Sequence, residues 1–567
     1  MSQPAHVMSG KPQKTPTATR ARSLRSLAAI VLVFATAVVC AFWWHTGLDM
    51  YPLDDGWAGF AAPQHFSWMD FLFSNRRELR KVPFIIAQAL EQDGFITINT
   101  ILIGIDILIW TGLFVVLYHV FRKRALEAFA ASALIMLYPN DPTMFWLGAF
   151  GVNSSYLLLL WSTAFSCLAI DRNKPWLHVP ALLLFFFGVK TYAGFIALPP
   201  ILLAYLLLRD RPQRPILRLL KYLTPHALIL AIAVAPVLFG APSEGGRDSR
   251  VASFDPALAL KGYGRMLENL VYGWGDKFFT PAAWMLPYAV YFGLLVAAAM
   301  LLLARHRRTG ANPITAEATD IRATVIFLGM CVAVIVFGYL PFSLSQIRFN
   351  ADRALMASRI GFVCLLVAAA SHAARRFSPR QVMPLVAVAA GAVVVVLAVN
   401  KLSVFDERHE RSMYQRVLLS DLAATMPCAR SKWPVLLHTA PREFTQRRGG
   451  QFLALRPELA LRTLYAKRNL KVFTLNDWTM KARPTSGIDR DHVRFGKNVL
   501  GPGSVIFQYS FENGLRPLPN LTIHAGQADE AILTGRPLPA DDCEATPLVQ
   551  SLLRDRAGYL QHLGLTR

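Results

Sequence analysis

Charged residues are scarce in this chain. Of its 567 residues, 17 % are charged and 54 % are hydrophobic, whereas soluble domains carry about 25 % charged residues. This composition excludes an ordinary soluble enzyme. The chain also lacks internal repeats and any P-loop, GxGxxG or HExxH string, so no common nucleotide or zinc motif points to its function.

Cysteine is also rare, and its six copies form no CxxC string or Cys/His cluster with zinc spacing. Four of them lie in apolar blocks, where we expect small core residues: Cys40, Cys167, Cys331 and Cys364. The other two, Cys428 and Cys543, lie in the polar tail. If that tail faces an oxidising compartment, we expect these two to form a disulfide. No metal site is expected.

Long apolar blocks are abundant instead. Most approach the ~20 residues that cross a hydrocarbon core of about 30 Å. They lie at about 27–44, 97–119, 128–146, 153–170, 176–189, 193–208, 222–240, 282–304, 323–341, 355–372 and 383–400. We therefore predict a polytopic α-helical membrane protein with about eleven transmembrane helices. The short pair at 176–189 and 193–208 is either two spans or one re-entrant hairpin.

The net charge of +23 would suggest nucleic acid in a soluble protein. Here lysine and arginine gather in every second loop, as the positive-inside bias requires, so no nucleic-acid partner is expected. Residues 1–26 are predicted to be a disordered basic cytoplasmic tail, and residues 27–401 the membrane domain. An odd number of spans places residues 402–567 on the opposite, periplasmic face of a bacterial inner membrane.

The tail changes composition and predicts a small soluble domain. Strands are expected at about Ser431–His438 and Ser504–Ser510, and helices at Pro457–Arg468 and Thr546–His562. Turn signals rich in glycine separate them. We therefore expect a mixed α/β domain docked on the outer face.

The first outer loop, about 45–96, contains the stretch around which we organise the functional hypothesis. There Asp54, Asp55 and Gly56 stand between Tyr51 and Trp57, directly after the first span. Apolar and charged residues then recur at helical spacing in runs too short to span, which is typical of helices in the membrane interface. The aspartates either cap a solvated loop, or one of them is a general base.

Basic residues on the outer face are less expected under the positive-inside bias. Five of them are candidate ligands for a lipid-borne phosphate: Arg77, Arg80, Lys190, Arg348 and Arg353. Arginine grips phosphate in a bidentate manner, and lysine acts as a point charge. The alternative for each is snorkelling to headgroups or a salt bridge.

Three further residues are candidates for contact with a sugar. Asp141, in the second outer loop, would bind hydroxyl groups, although a turn between prolines explains it equally well. The rings of Tyr192 and Trp57 would stack on the sugar, and their ordinary alternative is anchoring at the interface.

One span followed by a long outer loop with an acidic motif and interfacial helices resembles the GT-C superfamily of membrane glycosyltransferases. The resemblance covers about 27–400. It implies transfer of a sugar from a polyprenyl-phosphate donor on the non-cytoplasmic face. It also implies that the first-loop carboxylate is the catalytic base, here Asp55 or its neighbour Asp54. Lys190 and Arg353 match the family's phosphate-binding residues by topological position.

The function expected is inverting, single-displacement transfer of a hexosyl or pentosyl group to a cell-envelope glycan, a lipid or a protein. No cofactor is required, although a divalent cation is compatible with the acidic pair. The rival functions are a lipid-linked sugar transporter or flippase, an O-antigen ligase or polymerase, and a non-catalytic scaffold. Transporters place ionisable groups near mid-span, whereas the charged residues of interest here lie at span ends.

Overall fold

A computed structural model describes most of the chain in atomic detail. The described residues are 16–48, 50–52, 57–61, 66–73, 78–91, 94–138, 149–209, 215–239, 255–272, 282–310, 321–343, 351–374, 379–428, 435–439, 457–466, 472–475, 488–489, 492–495, 498–500, 504–510, 513–525, 529–534 and 544–563.

Helices make up the part of the molecule before the tail. In chain order they are α1 (Pro16–Thr46), α2 (Trp57–Ala61), α3 (Trp68–Phe73), α4 (Val82–Leu90), α5 (Phe95–Val120), α6 (Ala125–Met136), α7 (Phe150–Asp171), α8 (His178–Thr191), α9 (Leu198–Arg209), α10 (Pro215–Phe239), α11 (Pro256–Tyr272), α12 (Met285–Gly310), α13 (Ile321–Ser343), α14 (Ala351–Ala374) and α15 (Pro379–Thr425).

Eight of the described helices are long and apolar enough to cross a membrane, so the chain has the architecture of a multi-pass membrane protein. A helix satisfies its backbone hydrogen bonds internally, which is the requirement for crossing hydrocarbon. The eight are α1, α5, α7, α10, α12, α13, α14 and α15. The three remaining predicted spans correspond to shorter apolar helices, α6, α8 and α9.

The short helices α8 and α9 contact opposite ends of the bundle with their last residues. At the end of α8, Lys190 donates a hydrogen bond to the carbonyl of Leu72 in the first loop (3.1 Å). At the end of α9, Arg209 donates to the carbonyl of His119, at the far end of α5 (2.5 Å). Both are shorter than the eight helices that are long enough to cross a membrane.

We call the end of the bundle that carries the described residues between positions 47 and 94 the loop end. The side chain of Asn99, in the first turn of α5, ties this end together by donating to the carbonyls of Leu48 (2.7 Å) and Met50 (2.9 Å). The short helices α3 and α4 lie here and expose large apolar side chains, namely Trp68, Met69, Leu72, Ile86 and Leu90. Such exposure agrees with the prediction of interfacial helices.

Helix α11 was not predicted from the sequence. It packs on the bundle through Tyr263, whose hydroxyl donates to the carbonyl of Val336 in α13 (2.9 Å). Away from the bundle it exposes an apolar stripe of Leu260, Leu267 and Val271. A helix that buries one face in protein and leaves another apolar face uncovered fits the surface of a bilayer.

Two predicted boundaries differ from the structure. Helix α1 begins at Pro16, so residues 16–26 of the expected disordered tail are helical. Helix α15 continues from the last span to Thr425, so no break separates the membrane domain from the tail at 402. The reason is the same in both places, since a formed helix propagates cheaply through polar residues. No glycine or proline interrupts residues 392–425.

The predicted elements of the tail are found where the structure describes them, and residues 431–434 and 467–468 lie outside the described ranges. Strands β1 (Val435–Thr439) and β6 (Val505–Ser510), and helices α16 (Pro457–Leu464) and α17 (Pro547–His562), lie where expected. The other strands are β2 (Val472–Leu475), β3 (Ile488–Asp489), β4 (His492–Phe495), β5 (Asn498–Leu500), β7 (Gly514–Pro517), β8 (Asn520–Ala525) and β9 (Asp529–Thr534). The main sheet has the order β2-β1-β6-β7, in which β1 is parallel to both neighbours and β7 is antiparallel to β6.

A prediction concerns the contact between α12 and α15. A Cβ atom on Gly391 would lie 2.9 Å from the carbonyl oxygen of Gly293, and small residues of this kind let membrane helices approach closely. We expect Gly391→Leu to force the helices apart and to destabilise the detergent-solubilised protein by about 1–3 kcal/mol. Gly329→Leu, where a Cβ meets open space, is the control in a thermal unfolding assay. Equal melting temperatures for the two variants would contradict the close contact.

Candidate functional site at the loop end

Several residues singled out from the sequence lie outside the described residues: Asp54, Asp55, Arg77, Asp141, Arg348 and Cys543. Arg353 lies in the first turn of α14, but its side chain is not among the described ones. The structure does describe both flanks of the acidic pair. The site is therefore built from those flanks and from the helix they lie on.

The flanks of the acidic pair are bound to one face of α15, beyond its apolar segment. The Tyr51 amide donates to the Ser412 hydroxyl (2.8 Å). The side-chain amide of Gln415, oriented to satisfy both of its neighbours, donates to the Pro52 carbonyl (2.8 Å) and accepts from the Trp57 indole. Because Gln415 is fully buried, these bonds are shielded from competing water.

Aromatic packing holds the second flank. Trp57 is 1 % exposed, and its ring meets those of Tyr51, Phe60 and Phe95 at centroid distances of 6.2, 6.4 and 5.9 Å. Phe60 continues the cluster to Phe84 at 5.1 Å. With its ring enclosed and its N–H bonded, Trp57 is a packing residue here. It offers no free face on which a sugar could stack, in contrast to the role expected from the sequence.

A buried arginine lies beside this flank. The guanidinium of Arg416 lies 4.5 Å from the Tyr51 ring centroid and 5.3 Å from that of Tyr559 in α17, and the residue is only 4 % exposed. Such placement over aromatic faces is a cation–π arrangement. Sequence reasoning missed Arg416 because the polar part of α15 was assigned to a separate domain. No local signal marks Arg416, because the two rings that it contacts are distant in sequence.

The C-terminal helix is fixed to α15 by an ion pair. Asp421, 2 % exposed, accepts from Nε and Nη2 of Arg556 at 3.1 and 2.8 Å. Nearby, the hydroxyl of Tyr465 donates to the Met426 carbonyl (2.8 Å). Burial raises the pKa of that hydroxyl, so it remains a neutral donor. The tail domain is thus joined to the loop end through polar contacts along α15.

Two of the predicted basic residues are described, and both contact the bundle. Lys190 donates to the Leu72 carbonyl at the end of α3, and within the described part of the chain it has no carboxylate within salt-bridge distance. The side chain of Arg80 lies against Gly151, where an added Cβ atom would clash with Nε of Arg80. Lys190 is therefore a half-buried cation whose charge a ligand phosphate would match.

The remaining candidates have local roles. Tyr192 follows Lys190 and is half-buried, with its ring 5.7 Å from Phe195 and 6.3 Å from Phe342. Cys428 takes part in a disulfide, and its expected partner is among the undescribed residues. The four cysteines of the apolar helices are free thiols. Among the described side chains, no group of three or more metal-ligating residues occurs.

Comparison with known proteins adds no family assignment. No family model matches the chain, and no curated protein matches it by sequence. Any function must therefore be argued from the arrangement at the loop end.

A prediction concerns the contact between α15 and α17. Replacing Arg556 by Met removes two charge-assisted hydrogen bonds from the buried Asp421 carboxylate, and we expect a loss of about 1–3 kcal/mol. Arg554→Met is the matched control, because Arg554 lies on the same helix and is 76 % exposed. Limited proteolysis should release the C-terminal helix faster from the first variant only. Equal rates for both variants would contradict the proposed anchoring role.

Proposed function

We propose that the protein is a membrane glycosyltransferase of the GT-C type. It moves a hexosyl or pentosyl group from a polyprenyl-phosphate donor to a cell-envelope glycan, lipid or protein. We further propose that all eleven apolar helices cross a bacterial inner membrane, with the N-terminus in the cytoplasm. The loop end and the tail domain then face the periplasm.

The architecture supports this proposal because several elements meet at one end of the bundle. The first loop, the interfacial helices and the tail domain all meet the loop end of the bundle. An enzyme acting on a lipid-borne sugar needs this combination, because its donor arrives in the membrane and its acceptor arrives from water. The uncovered apolar side chains of α3, α4 and α11 suit a surface in contact with lipid.

The observation that carries the proposal is the attachment of both flanks of the acidic pair to Gln415. Four residues separate Pro52 from Trp57, and a chain extends by at most about 3.5 Å per residue. Both ends of the segment that contains the aspartates are therefore bound to α15. A carboxylate held beside a membrane surface is suited to accept a proton from an incoming hydroxyl.

In the proposed reaction, the bond between the anomeric carbon and the phosphate oxygen breaks, and the phosphate keeps the electron pair. Lys190 and Arg353 stabilise the charge that develops on the phosphate. The acceptor oxygen attacks the anomeric carbon from the opposite face, which inverts its configuration. Asp55 takes the proton of the acceptor hydroxyl, and Asp54 orients the pair. Arg80 and Tyr192 line the approach. No cofactor takes part in this scheme.

A prediction tests the acid–base role. We expect Asp55→Asn to lower the turnover of sugar transfer by about a hundredfold or more, since it removes the base. The assay follows release of polyprenyl phosphate from radiolabelled polyprenyl-phosphate glucose, mannose and arabinose in vesicles supplied with cell-envelope extract. Asp70→Asn, in α3 of the same loop, is the control. Full turnover in Asp55→Asn and in Asp54→Asn would exclude the proposed chemistry.

A second prediction tests phosphate binding by Lys190. We expect Lys190→Met to raise KM for the same donors about tenfold, because it removes a cation from a partly desolvated site. Lys190→Arg should recover part of the affinity. Lys174→Met, at the exposed opposite end of the bundle, is the control. A KM in Lys190→Met equal to that of the control would refute this assignment.

A further inference from the structure

One residue of α15, Arg416, contacts both the C-terminal helix and the first loop. Arg416 lies between two rings, Tyr51 from the first loop and Tyr559 from α17. These two rings are more than 500 positions apart in the sequence, and one buried guanidinium contacts both. A change in the position of either ring must therefore alter the packing of the arginine and, through it, that of the other ring.

The contacts of Tyr51 lie on a single face of α15. Ser412 and Arg416 are four residues apart and hence one above the other on a helix. The hydroxyl of Ser412 accepts the Tyr51 amide, while Arg416 covers the Tyr51 ring. Backbone and side chain of the same loop residue are thus held together. A shift of the Arg416 side chain would release the ring and weaken the adjacent hydrogen bond.

The contacts of α17 fix its direction and register on α15. Asp421 pairs with Arg556, and Arg416 contacts Tyr559. The later residue of α15 therefore contacts the earlier residue of α17. The two helices are therefore antiparallel. Arg556 and Tyr559 are three residues apart on one face of α17. The ion pair sets the register that brings the Tyr559 ring onto Arg416.

We propose that α17 is a positioning element for the loop-end site and that it acts through Arg416 as the positioning residue. The inference rests on the proposed function only where it concerns turnover. Its structural part concerns the start of the first loop, Met50–Pro52. A distant element of the tail domain then controls how firmly the segment that leads into the acidic pair is held.

Hydrogen exchange at the Tyr51 amide tests the structural part. In the full-length protein in detergent, we expect Tyr559→Ala to accelerate exchange in the peptide containing Tyr51 several-fold, since it removes one face of the cation–π contact. Tyr559→Phe keeps the ring and should restore most of the protection. Arg554→Ala, on the exposed side of α17, is the control. Exchange across 547–562 shows whether α17 stays folded.

The result that would overturn the inference is unchanged exchange at Tyr51 in Tyr559→Ala, whether α17 remains folded or not. Arg416→Lys gives a second variant, which keeps the charge but loses the planar stacking. It should accelerate exchange at Tyr51 with α17 still folded, and an unchanged rate would again overturn the inference.

Turnover separates this inference from the proposed function. With polyprenyl-phosphate donors, we expect Tyr559→Ala to lower kcat several-fold while KM for the donor stays unchanged, as a misplaced base requires. If the unmodified protein transfers no sugar but exchange at Tyr51 responds as stated, the proposed function fails and the positioning contact stands. If transfer occurs and neither exchange nor kcat responds to Tyr559→Ala, the positioning role is wrong.

Discussion

The loop end depends on one constraint, namely that the polar groups buried along α15 must find partners where water is excluded. Burying an unsatisfied amide or guanidinium is costly. The side chain of Gln415 meets this requirement by binding both flanks of the acidic pair, and Asp421 meets it by binding Arg556. The same requirement thus fixes both the first loop and the C-terminal helix to one continuous helix, α15.

Because α15 is continuous, these contacts lie on the same helix as the last apolar segment. A helix of 47 residues rises by 1.5 Å per residue, so it extends about 70 Å. Its first part crosses the bundle, and its last turns carry Ser412, Gln415, Arg416 and Asp421. Because no loop interrupts α15, its apolar segment and the segment that contacts the tail domain belong to the same helix. The first loop and the C-terminal helix therefore contact the same segment of α15.

Much of the fold was predictable from the sequence, because hydropathy and period-2 patterns report local burial. The eight long apolar helices and the strands β1 and β6 came from these patterns. Helix α11 was missed because charged residues interrupt its apolar ones, so it forms no apolar block, and because Gly262 and Gly264 weaken its helical signal. The continuation of α15 was missed because the hydropathy falls at Asn400 while the helical propensity does not.

The candidate site was less predictable than the fold. The place of Lys190 at the loop end followed from topology. The burial of Trp57 and the role of Arg416 depend on residues that are distant in sequence, such as Phe95 and Tyr559, and a single chain carries no local signal for those contacts. Charged residues in a helix are usually exposed to solvent. The burial of Arg416 therefore follows only from the tertiary structure, in which α17 packs against it.

The proposed function requires a lipid-borne sugar phosphate to bind at the loop end beside the acidic pair. Cryo-electron microscopy of the protein in lipid nanodiscs with a non-hydrolysable polyprenyl-phosphate sugar would locate that phosphate. We expect phosphate density within hydrogen-bond distance of Lys190 Nζ, with the Asp55 carboxylate facing the sugar. Density for the phosphate at the opposite end of the bundle, or an Asp55 side chain turned away from the bound donor into solvent, would contradict it.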